Sequence, residues 1–265
     1  MGCMSARRGI VRGSVAAWSE GGATLALSRV FRRAAEALES AAERVELGGA
    51  ARRLGRMQPA TFEDAIELAE QFRFGGRLSI RPMQIRSEIS SFLDFIASEP
   101  PATVLEIGTG RGGTLFLLAQ AARENALLVS LDAPHVAGFG ARPEYATRER
   151  LYRSLGRRTQ RVVFLAADSH LVETLARVRR ILAGRLIDVL FVDGDHTFEG
   201  VESDFRMYAP LVRSGGLVAF HDIVPGPAEK VGSVPAFWQS VRALDSIEFV
   251  EDWNQGGYGI GVLRR

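Results

Sequence analysis

The segment TVLEIGTGRGG, residues 103–113, decides the fold class of this 265-residue chain. Its first five residues, TVLEI, predict a short buried strand, and the glycines after them predict a tight turn. Apolar residues then recur at Leu115, Phe116 and Leu118, which indicates a helix. A strand, a glycine-rich turn and a helix in this order form the first unit of a parallel α/β sheet.

Further apolar runs follow at intervals that leave room for helices. They lie at residues 126–132, 161–168, 186–193 and 216–222. Because they are almost continuously apolar, we expect parallel strands covered on both faces of the sheet. The last two runs, 247–253 and 258–264, are joined by NQGG and predict a hairpin. We therefore predict a doubly wound, Rossmann-like α/β fold with a mostly parallel seven-stranded sheet that ends in a C-terminal antiparallel hairpin.

The first 80 residues are predicted to form a helical extension, and residues 81–265 form the domain that holds the sheet. Amphipathic helices are predicted over 24–47, 61–74 and 84–98. Residues 1–60 carry ten arginines and five glutamates. We interpret this region as a solvated extension rather than a nucleic-acid arm, because no aromatic residues are interleaved with the charges. Self-association through the first helix is left open.

The composition excludes several classes of protein. Cys3 is the single cysteine, which rules out a disulfide framework and any cysteine-based zinc site and fits a reducing cytoplasm. Apolar runs are too short to span a membrane, and Arg12 and Glu20 interrupt any signal-like segment. With a net charge of +2, we expect a cytoplasmic protein that acts on a small molecule and binds neither nucleic acid nor membrane.

The glycine-rich turn is a candidate cofactor site. Gly108, Gly110 and Gly113 satisfy the GxGxxG pattern, which brings the backbone close to a ligand at the start of a helix. Asp132 ends the second strand, where it is suited to accept hydrogen bonds from a ribose diol. A dinucleotide and S-adenosylmethionine (SAM) both fit this pattern. A turn without ligand is less favoured, since Gly112 and Gly113 start a helix poorly.

Glu106 favours SAM over a dinucleotide. Its carboxylate precedes the first glycine by two residues, where it would repel a pyrophosphate but attract the cationic amino acid end of SAM. The chain here resembles the class I SAM-dependent methyltransferases, whose first motif is an acidic residue followed by xGxGxG. The resemblance implies that SAM is held by Glu106, Gly108, Gly110, Gly112 and Asp132, and that its adenine is contacted by Asp168 and Ser169.

Charged residues also follow the fourth and fifth strands. The segment FVDGDHTFEG, residues 191–200, places Asp193 and His196 after the fourth strand, and the fifth ends in His221 and Asp222. If these strands are neighbours, Asp193 and Asp222 converge, and two facing carboxylates require a proton or a cation between them. A divalent cation, Mg²⁺ most simply, satisfies them. His196 is then placed to act as general base.

Residues 80–265 resemble the metal-dependent sugar O-methyltransferases of macrolide biosynthesis, a group that includes members identified as cephalosporin hydroxylases, and more distantly catechol O-methyltransferase. The resemblance implies that Asp193 and Asp222 ligate the metal and that His196 is the base. His221 stands where some relatives carry an acidic ligand, so it is a candidate third ligand. The predicted function is SAM- and Mg²⁺-dependent methylation of a hydroxyl on a sugar or other polyhydroxylated natural product.

Other polar residues have structural interpretations. We expect Asp195 to cap the turn and His170 to be an ordinary loop residue. Gln84 and Glu88 fit the pocket wall and the surface equally well. The segment 133–150 predicts a mobile loop over the cofactor. Glu199, Glu202 and Asp204 are interpreted as one solvated helix face.

Two alternative functions stay open. An Fe(II)-dependent oxygenase would use Asp193, His196 and His221 as a two-His-one-carboxylate triad. That assignment leaves Glu106 and Asp132 without a role. A non-catalytic SAM-binding protein would need neither the acidic pair nor His196.

Overall fold

A computed structural model describes residues 41–42, 45–75, 78–133, 135–136, 140–141 and 144–265. The chain divides into two compact units, Met1–Ala42 and Glu43–Arg265, and the second holds the sheet. Most of the predicted helix over 24–47 lies outside the described residues, and so does part of the predicted mobile loop over 133–150. The predicted end of that helix at Gly48-Gly49 is wrong, because the helix continues through both glycines to residue 54. The rest of the helix, the mobile loop and self-association through the first helix stay predictions.

The sheet is the one predicted from the sequence. Its seven strands run in the order β10-β11-β9-β8-β3-β4-β7. They are β3 (Thr103–Ile107), β4 (Leu127–Asp132), β7 (Arg161–Ala166), β8 (Ile187–Val192), β9 (Val212–His221), β10 (Ile247–Phe249) and β11 (Ile260–Arg264). The five strands from β9 to β7 are parallel, whereas β11 is antiparallel to both β9 and β10. The predicted doubly wound, Rossmann-like fold and its C-terminal hairpin are confirmed.

Short strands and helices connect these elements. The minor strands pair as β1 (Arg73–Phe74) with β2 (Leu78–Ser79) and as β5 (His135–Val136) with β6 (Gly140–Ala141). The helices are α1 (45–54), α2 (Phe62–Gln71), α3 (Arg86–Ala97), α4 (Gly113–Ala121), α5 (Glu144–Arg153), α6 (Val172–Leu182), α7 (Phe198–Tyr208), α8 (Ala228–Val231) and α9 (Val234–Val241). None of those in the described part of the chain has the length and apolar character that a bilayer crossing requires.

Side chains on the two faces of the sheet form separate hydrophobic clusters. Alternate residues of β3 point to opposite faces, so Val104 joins one cluster and Leu105 and Ile107 join the other. Residues 45–80, which the sequence places in an N-terminal extension, contribute buried side chains such as Leu47 and Ile66 to the first cluster. The domain boundary at residue 80 stays a prediction.

The parallel pairing fixes the position of the site. The register matches Ile107 with both Leu131 and Val192, and Val192 with Phe220, so the carboxyl ends of β3, β4, β8 and β9 lie side by side. Loops at this edge of an open α/β sheet are where ligands bind. The glycine turn, Asp132, the acidic turn and the His221–Asp222 pair therefore share one edge.

Candidate active site

The glycine turn packs directly against the acidic turn after β8. Gly108 has φ of 96°, and a Cβ at this position would overlap the carbonyl group of Asp193. The Asp193 amide also donates a hydrogen bond of 2.8 Å to the carbonyl of Ile107. Only glycine tolerates both this backbone angle and this approach. The two candidate binding loops are consequently held in contact by their backbones.

Asp132 is tied to the same turn. Its Oδ2 accepts a hydrogen bond of 2.8 Å from the amide of Gly110, which itself lies in open space with φ of 52°. Gly112, with φ of 86°, precedes the first residue of α4. The structure thus brings Asp132 next to the glycines with which it was predicted to bind one ligand.

Glu106 is a fully buried carboxylate beneath the glycine turn. Ser130 donates a hydrogen bond to Oε2, and Oε1 has no hydrogen-bond partner among the described residues. Burial raises the pKa of Glu106 to about 8, against the opposing effect of the Ser130 hydrogen bond. An unpartnered buried carboxylate oxygen suits a cationic ligand group, so the residues present fit the amino acid end of SAM.

Asp193, His196 and Asp222 form a cluster at the ends of β8 and β9. One ligand atom from each lies within 4.8 Å of the others, which is a spacing that a metal ion can bridge. His196 Nε2 is 3.6 Å from Asp193 Oδ1, and His196 Nδ1 is 3.7 Å from Asp222 Oδ2. Two carboxylates and an imidazole suit a divalent cation. The predicted convergence of the two aspartates is therefore present.

His221 lies beside this cluster and is buried. Its Nδ1 is 3.1 Å from Asp193 Oδ1 and 3.4 Å from Asp222 Oδ2, while Nε2 is buried without a hydrogen-bond partner among the described residues. The histidine in the group of candidate metal ligands is His196 and not His221; the other two members are Asp193 and Asp222. In this arrangement His221 supports both carboxylates, and its role as a third ligand stays a prediction.

The charges of the cluster shift the pKa values of its members. Burial alone would raise the pKa of Asp193, but the neighbouring His221 and His196 lower it to about 2. The Asp193 carboxylate raises the pKa of His196 to about 9. For His221, burial opposes protonation, yet the two aspartates hold its pKa well above the usual value. When protonated, the two imidazoles supply the positive charge that the facing carboxylates require. A divalent cation held by Asp193 and Asp222 would supply that charge instead and would lower the pKa of His196, so that its Nε2 could accept a proton.

A backbone carbonyl and a side-chain amide complete the cluster. The carbonyl of Lys230 lies 2.6 Å from His196 Nδ1, and a carbonyl can only accept, so Nδ1 carries a hydrogen. In the neutral form of His196 the lone pair is then on Nε2, which faces Asp193. Gln84 donates to Asp193 Oδ2 at 3.4 Å and accepts from Thr114, so it belongs to the pocket wall.

Asp195 points away from the cluster. Its Oδ1 accepts a hydrogen bond of 2.8 Å from the amide of Thr197, the residue that caps α7. The expectation that Asp195 caps the turn agrees with this contact.

Asp168, Ser169 and His170 lie apart from the acidic cluster, on the loop after β7. Asp168 is exposed and its Oδ1 accepts from the amide of His170, while the Ser169 carbonyl accepts from Tyr208 at 2.7 Å. Because β7 is next to β4, this loop adjoins the Asp132 side of the site. Contact with adenine stays a prediction for Asp168 and Ser169.

Asp204 corrects the interpretation of the helix after β8. It was expected on a solvated face with Glu199 and Glu202, but it is fully buried, with Oδ1 3.4 Å from His170 Nε2. On α7 the buried residues are Gly200, Val201, Asp204 and Tyr208. Their spacing of three and four places Asp204 on the apolar stripe, which is a signal that was present in the sequence.

Comparison with known proteins agrees with this arrangement. Residues 105–223, which span the glycine turn and the acidic cluster, match the family described as "Methyltransferase domain". These 119 of the 265 residues are therefore similar to a methyltransferase domain. A protein of Acanthamoeba polyphaga mimivirus, uncharacterized protein R132, is 31% identical over 121 residues, which are 45% of this chain and 51% of that protein. The chain thus spans about half the length of this curated relative.

Two solved structures share this fold. An O-methyltransferase from Bacillus cereus, in complex with SAH, has a TM-score of 0.55 at 16% identity and covers 79% of this chain and 93% of its own. A provisionally assigned O-methyltransferase from Klebsiella pneumoniae has a TM-score of 0.51 at 17% identity, covering 78% and 90%. At these identities the likeness establishes the fold, and with the family match it confirms the resemblance to class I methyltransferases.

Because of the ion pair between His170 and Asp204, we predict that the free energy of unfolding of the chain depends on pH. The Asp204 carboxylate, 3.4 Å from His170 Nε2, raises the pKa of His170 to about 9, with smaller contributions from Asp168 and Asp195. A raised pKa means that the stabilisation is complete below the unfolded value of 6.5 and is lost as pH rises through about 9. His170→Gln should therefore destabilise the fold by on the order of 2 kcal/mol at neutral pH, allowing for partial exposure.

The measurement is urea unfolding of both proteins between pH 6.5 and 10. We expect the difference in unfolding free energy between the unaltered chain and His170→Gln to shrink toward zero above pH 9. Comparing the two proteins cancels the titration of other groups, including Glu106, whose raised pKa also favours the folded state at lower pH. A difference that stays constant over this range would contradict the charged pair.

Proposed function

We propose that the chain is a cytoplasmic, SAM-dependent O-methyltransferase that requires a divalent cation and methylates a hydroxyl group of a sugar or other polyhydroxylated natural product. One observation carries the proposal: Asp193, His196 and Asp222 meet at the same edge of the sheet as the glycine turn, with Gly108 against the backbone of Asp193. The family match and the O-methyltransferases among the similar folds support the reaction class. No membrane or nucleic-acid partner is proposed.

In this proposal the residues around the glycine turn hold SAM. Glu106 would take the positively charged amino acid end, because its Oε1 is buried and unpartnered. Gly108, Gly110 and Gly112 would let the backbone approach the ligand, and Asp132 would bind the ribose hydroxyls. Asp168 and Ser169 would contact the adenine. The B. cereus protein, which is bound to SAH, supports a cofactor of this chemistry.

The acidic cluster would receive the acceptor. Asp193 and Asp222 would hold the cation, with Mg²⁺ or Mn²⁺ as the hard ions that suit carboxylates, and His221 would orient both side chains. When bound there, such a cation would lower the pKa of a substrate hydroxyl. His196 would take the proton on Nε2, because the Lys230 carbonyl keeps the hydrogen on Nδ1.

This arrangement favours O-methylation over the oxygenase alternative. A two-His-one-carboxylate triad needs two imidazoles aimed at one open metal position. Here the group that can meet on one ion has two carboxylates and one imidazole, whereas His221 Nδ1 contacts Asp193. The oxygenase would also leave the buried carboxylate of Glu106 without a function.

Calorimetric titration with SAM tests the cofactor half of the proposal. We expect SAM to bind and, near pH 7, to release a proton, since a cation beside Glu106 favours ionisation of a carboxyl whose pKa is about 8. The released proton is measured by repeating the titration in buffers of different ionisation enthalpy. Glu106→Gln should abolish the proton release and weaken SAM binding by about tenfold, as expected for loss of a charged hydrogen bond.

One control variant and two contradicting outcomes sharpen this test. Asp188→Asn alters a carboxylate at the opposite end of β8 and should leave both the affinity and the proton release unchanged. If the unaltered chain does not bind SAM, the proposed function is wrong. If SAM binds with an unchanged proton release in Glu106→Gln, then Glu106 does not contact the cationic group. Once SAM binding is established, a screen of glycosides and catechols by mass spectrometry would identify the acceptor.

A further inference from the structure

Glu88 is a buried carboxylate that lies on α3, outside the proposed catalytic cluster. Its Oε1 accepts hydrogen bonds from the amide of Glu251 at 3.1 Å and from Gln255 Nε2 at 2.7 Å, and its Oε2 accepts from the amide of Gly259 at 2.9 Å. The side chain is 2% exposed. All three donors come from the turn between β10 and β11, so Glu88 fixes that turn to α3.

The turn held by Glu88 reaches the proposed metal ligand. The residue before Gly259 is Tyr258, and its amide donates a hydrogen bond of 3.0 Å to Asp222 Oδ1. The Tyr258 carbonyl accepts from the amide of Val224 at 2.9 Å, just beyond Asp222 in the chain. Both backbone groups of Tyr258 thus bind the segment that carries Asp222. Two hydrogen bonds, from the amides of Gly259 and Tyr258, thus connect the carboxylates of Glu88 and Asp222 through the backbone of Tyr258.

Both residues joined by this contact have strained backbones. Asp222 has φ of 60° and Tyr258 has φ of 65°, and among the described residues only Ala183 is another non-glycine residue with positive φ. Such conformations cost free energy and persist only where the surroundings hold them. The Tyr258 ring also lies against His221, with ring centroids 6.2 Å apart. The turn therefore has to be held in place for Asp222 and His221 to keep their positions.

We infer that Glu88 is a positioning residue for the divalent-cation site and acts on Asp222 through the turn 251–259. The inference rests on the proposed function, because it assumes that Asp222 is a ligand. Among the described residues, the hydrogen-bond partners of Glu88 are Glu251, Gln255 and Gly259, none of them in the cluster or the glycine turn, so its effect on the cation has to pass through Tyr258. It makes the metal site dependent on a residue that precedes β3 in the chain.

The test measures binding of Mn²⁺ to the whole chain by electron paramagnetic resonance, in which only the free ion gives a strong signal. Glu88→Gln keeps the shape of the side chain but turns one acceptor into a donor that faces a donor. We expect Mn²⁺ affinity to fall by about tenfold, the lower end of the range for groups that orient metal ligands. Gln255→Met removes one of the three donors and should give a smaller loss in the same direction.

Asp188→Asn is the matched control. Asp188 also accepts from two backbone amides, those of Ala102 and Thr103 at 2.8 Å, and from one side chain, Arg213. It lies at the start of β8, at the other end of the strand from the cluster. A general loss of rigidity would affect both variants, whereas positioning of Asp222 would affect only Glu88→Gln. Circular dichroism establishes that each variant is folded at the temperature of the measurement.

The outcomes are distinguishable. Weaker Mn²⁺ binding in Glu88→Gln, with Asp188→Asn unchanged, supports the inference. Equal affinity in Glu88→Gln and the unaltered chain overturns it, and so does an equal loss in both variants. If Glu88→Gln does not fold, then unchanged affinity in Gln255→Met overturns it. Absence of Mn²⁺ binding in the unaltered chain would instead overturn the metal-dependent function, and with it the inference.

Discussion

Replacing His196 with alanine is expected to lower turnover by roughly 10²–10⁴-fold while SAM binding is largely retained. The substitution removes an imidazole whose Nε2 lies 3.6 Å from Asp193 Oδ1, and whose neutral form has its lone pair there because the Lys230 carbonyl, on α8, lies 2.6 Å from Nδ1. The hydrogen bond that the Gly110 amide donates is to Asp132 and the one that Glu106 accepts is from Ser130, so neither depends on His196. The loss should therefore appear in kcat at saturating SAM and not in the KM for SAM.

Metal binding and imidazole rescue distinguish the two roles that His196 can have. If it is the general base, His196→Ala still binds Mn²⁺ and added imidazole restores part of the activity. If it is a ligand, as its place within 4.8 Å of both aspartates also permits, Mn²⁺ affinity falls with activity. Full activity in His196→Ala would contradict both roles. The measurement is turnover together with titration of Mn²⁺ on the same preparations.

The central strands were predictable because their signal is local. TVLEI at 103–107 is strand β3 over the same residues, and the run predicted at 186–193 is β8 over Ile187–Val192. Strands buried on both faces are almost continuously apolar, so their sequence needs no tertiary information to be identified. β9 is longer than predicted, because it begins at Val212 and not at residue 216. A register shift against β8 and the positive φ of Gly215, 73°, interrupt the regular strand pattern between these residues.

The candidate site was predictable where it follows from strand ends alone. Asp193 and Asp222 converge because β8 and β9 are neighbours and parallel, and the acidic residues come directly after both. Contacts made by distant segments could not be predicted in this way. Glu88 is bound by a turn more than 160 residues later in the chain, and the group that fixes His196 is a backbone carbonyl. Every residue has a backbone carbonyl, so the residue types in the sequence do not indicate which carbonyl makes such a contact.

Asp193→Asn should abolish cation binding, with an expected fall in Mn²⁺ affinity of more than about 100-fold, because groups that only orient ligands already contribute 10–100-fold. The variant loses a negative charge that lies 3.1 Å from His221 and 3.6 Å from His196. With the pKa of Asp193 near 2, its ionised form stabilises the fold at all pH values above the unfolded value of about 4, and that stabilisation is lost as pH falls through 2. We expect Asp193→Asn to cost about 2 kcal/mol at pH 7.

The control for Asp193→Asn is the aspartate two residues later. Asp195→Asn changes the same side chain in the same turn, but Asp195 is exposed and accepts from the amide of Thr197, a bond that asparagine also makes. It should bind Mn²⁺ and turn over like the unaltered chain. Equal losses in the two variants would mean that Mn²⁺ responds to the overall negative charge of the turn, and the cluster would then not be a metal site. A loss confined to Asp193→Asn would establish that the cation is bound by the carboxylate that faces Asp222, His196 and His221.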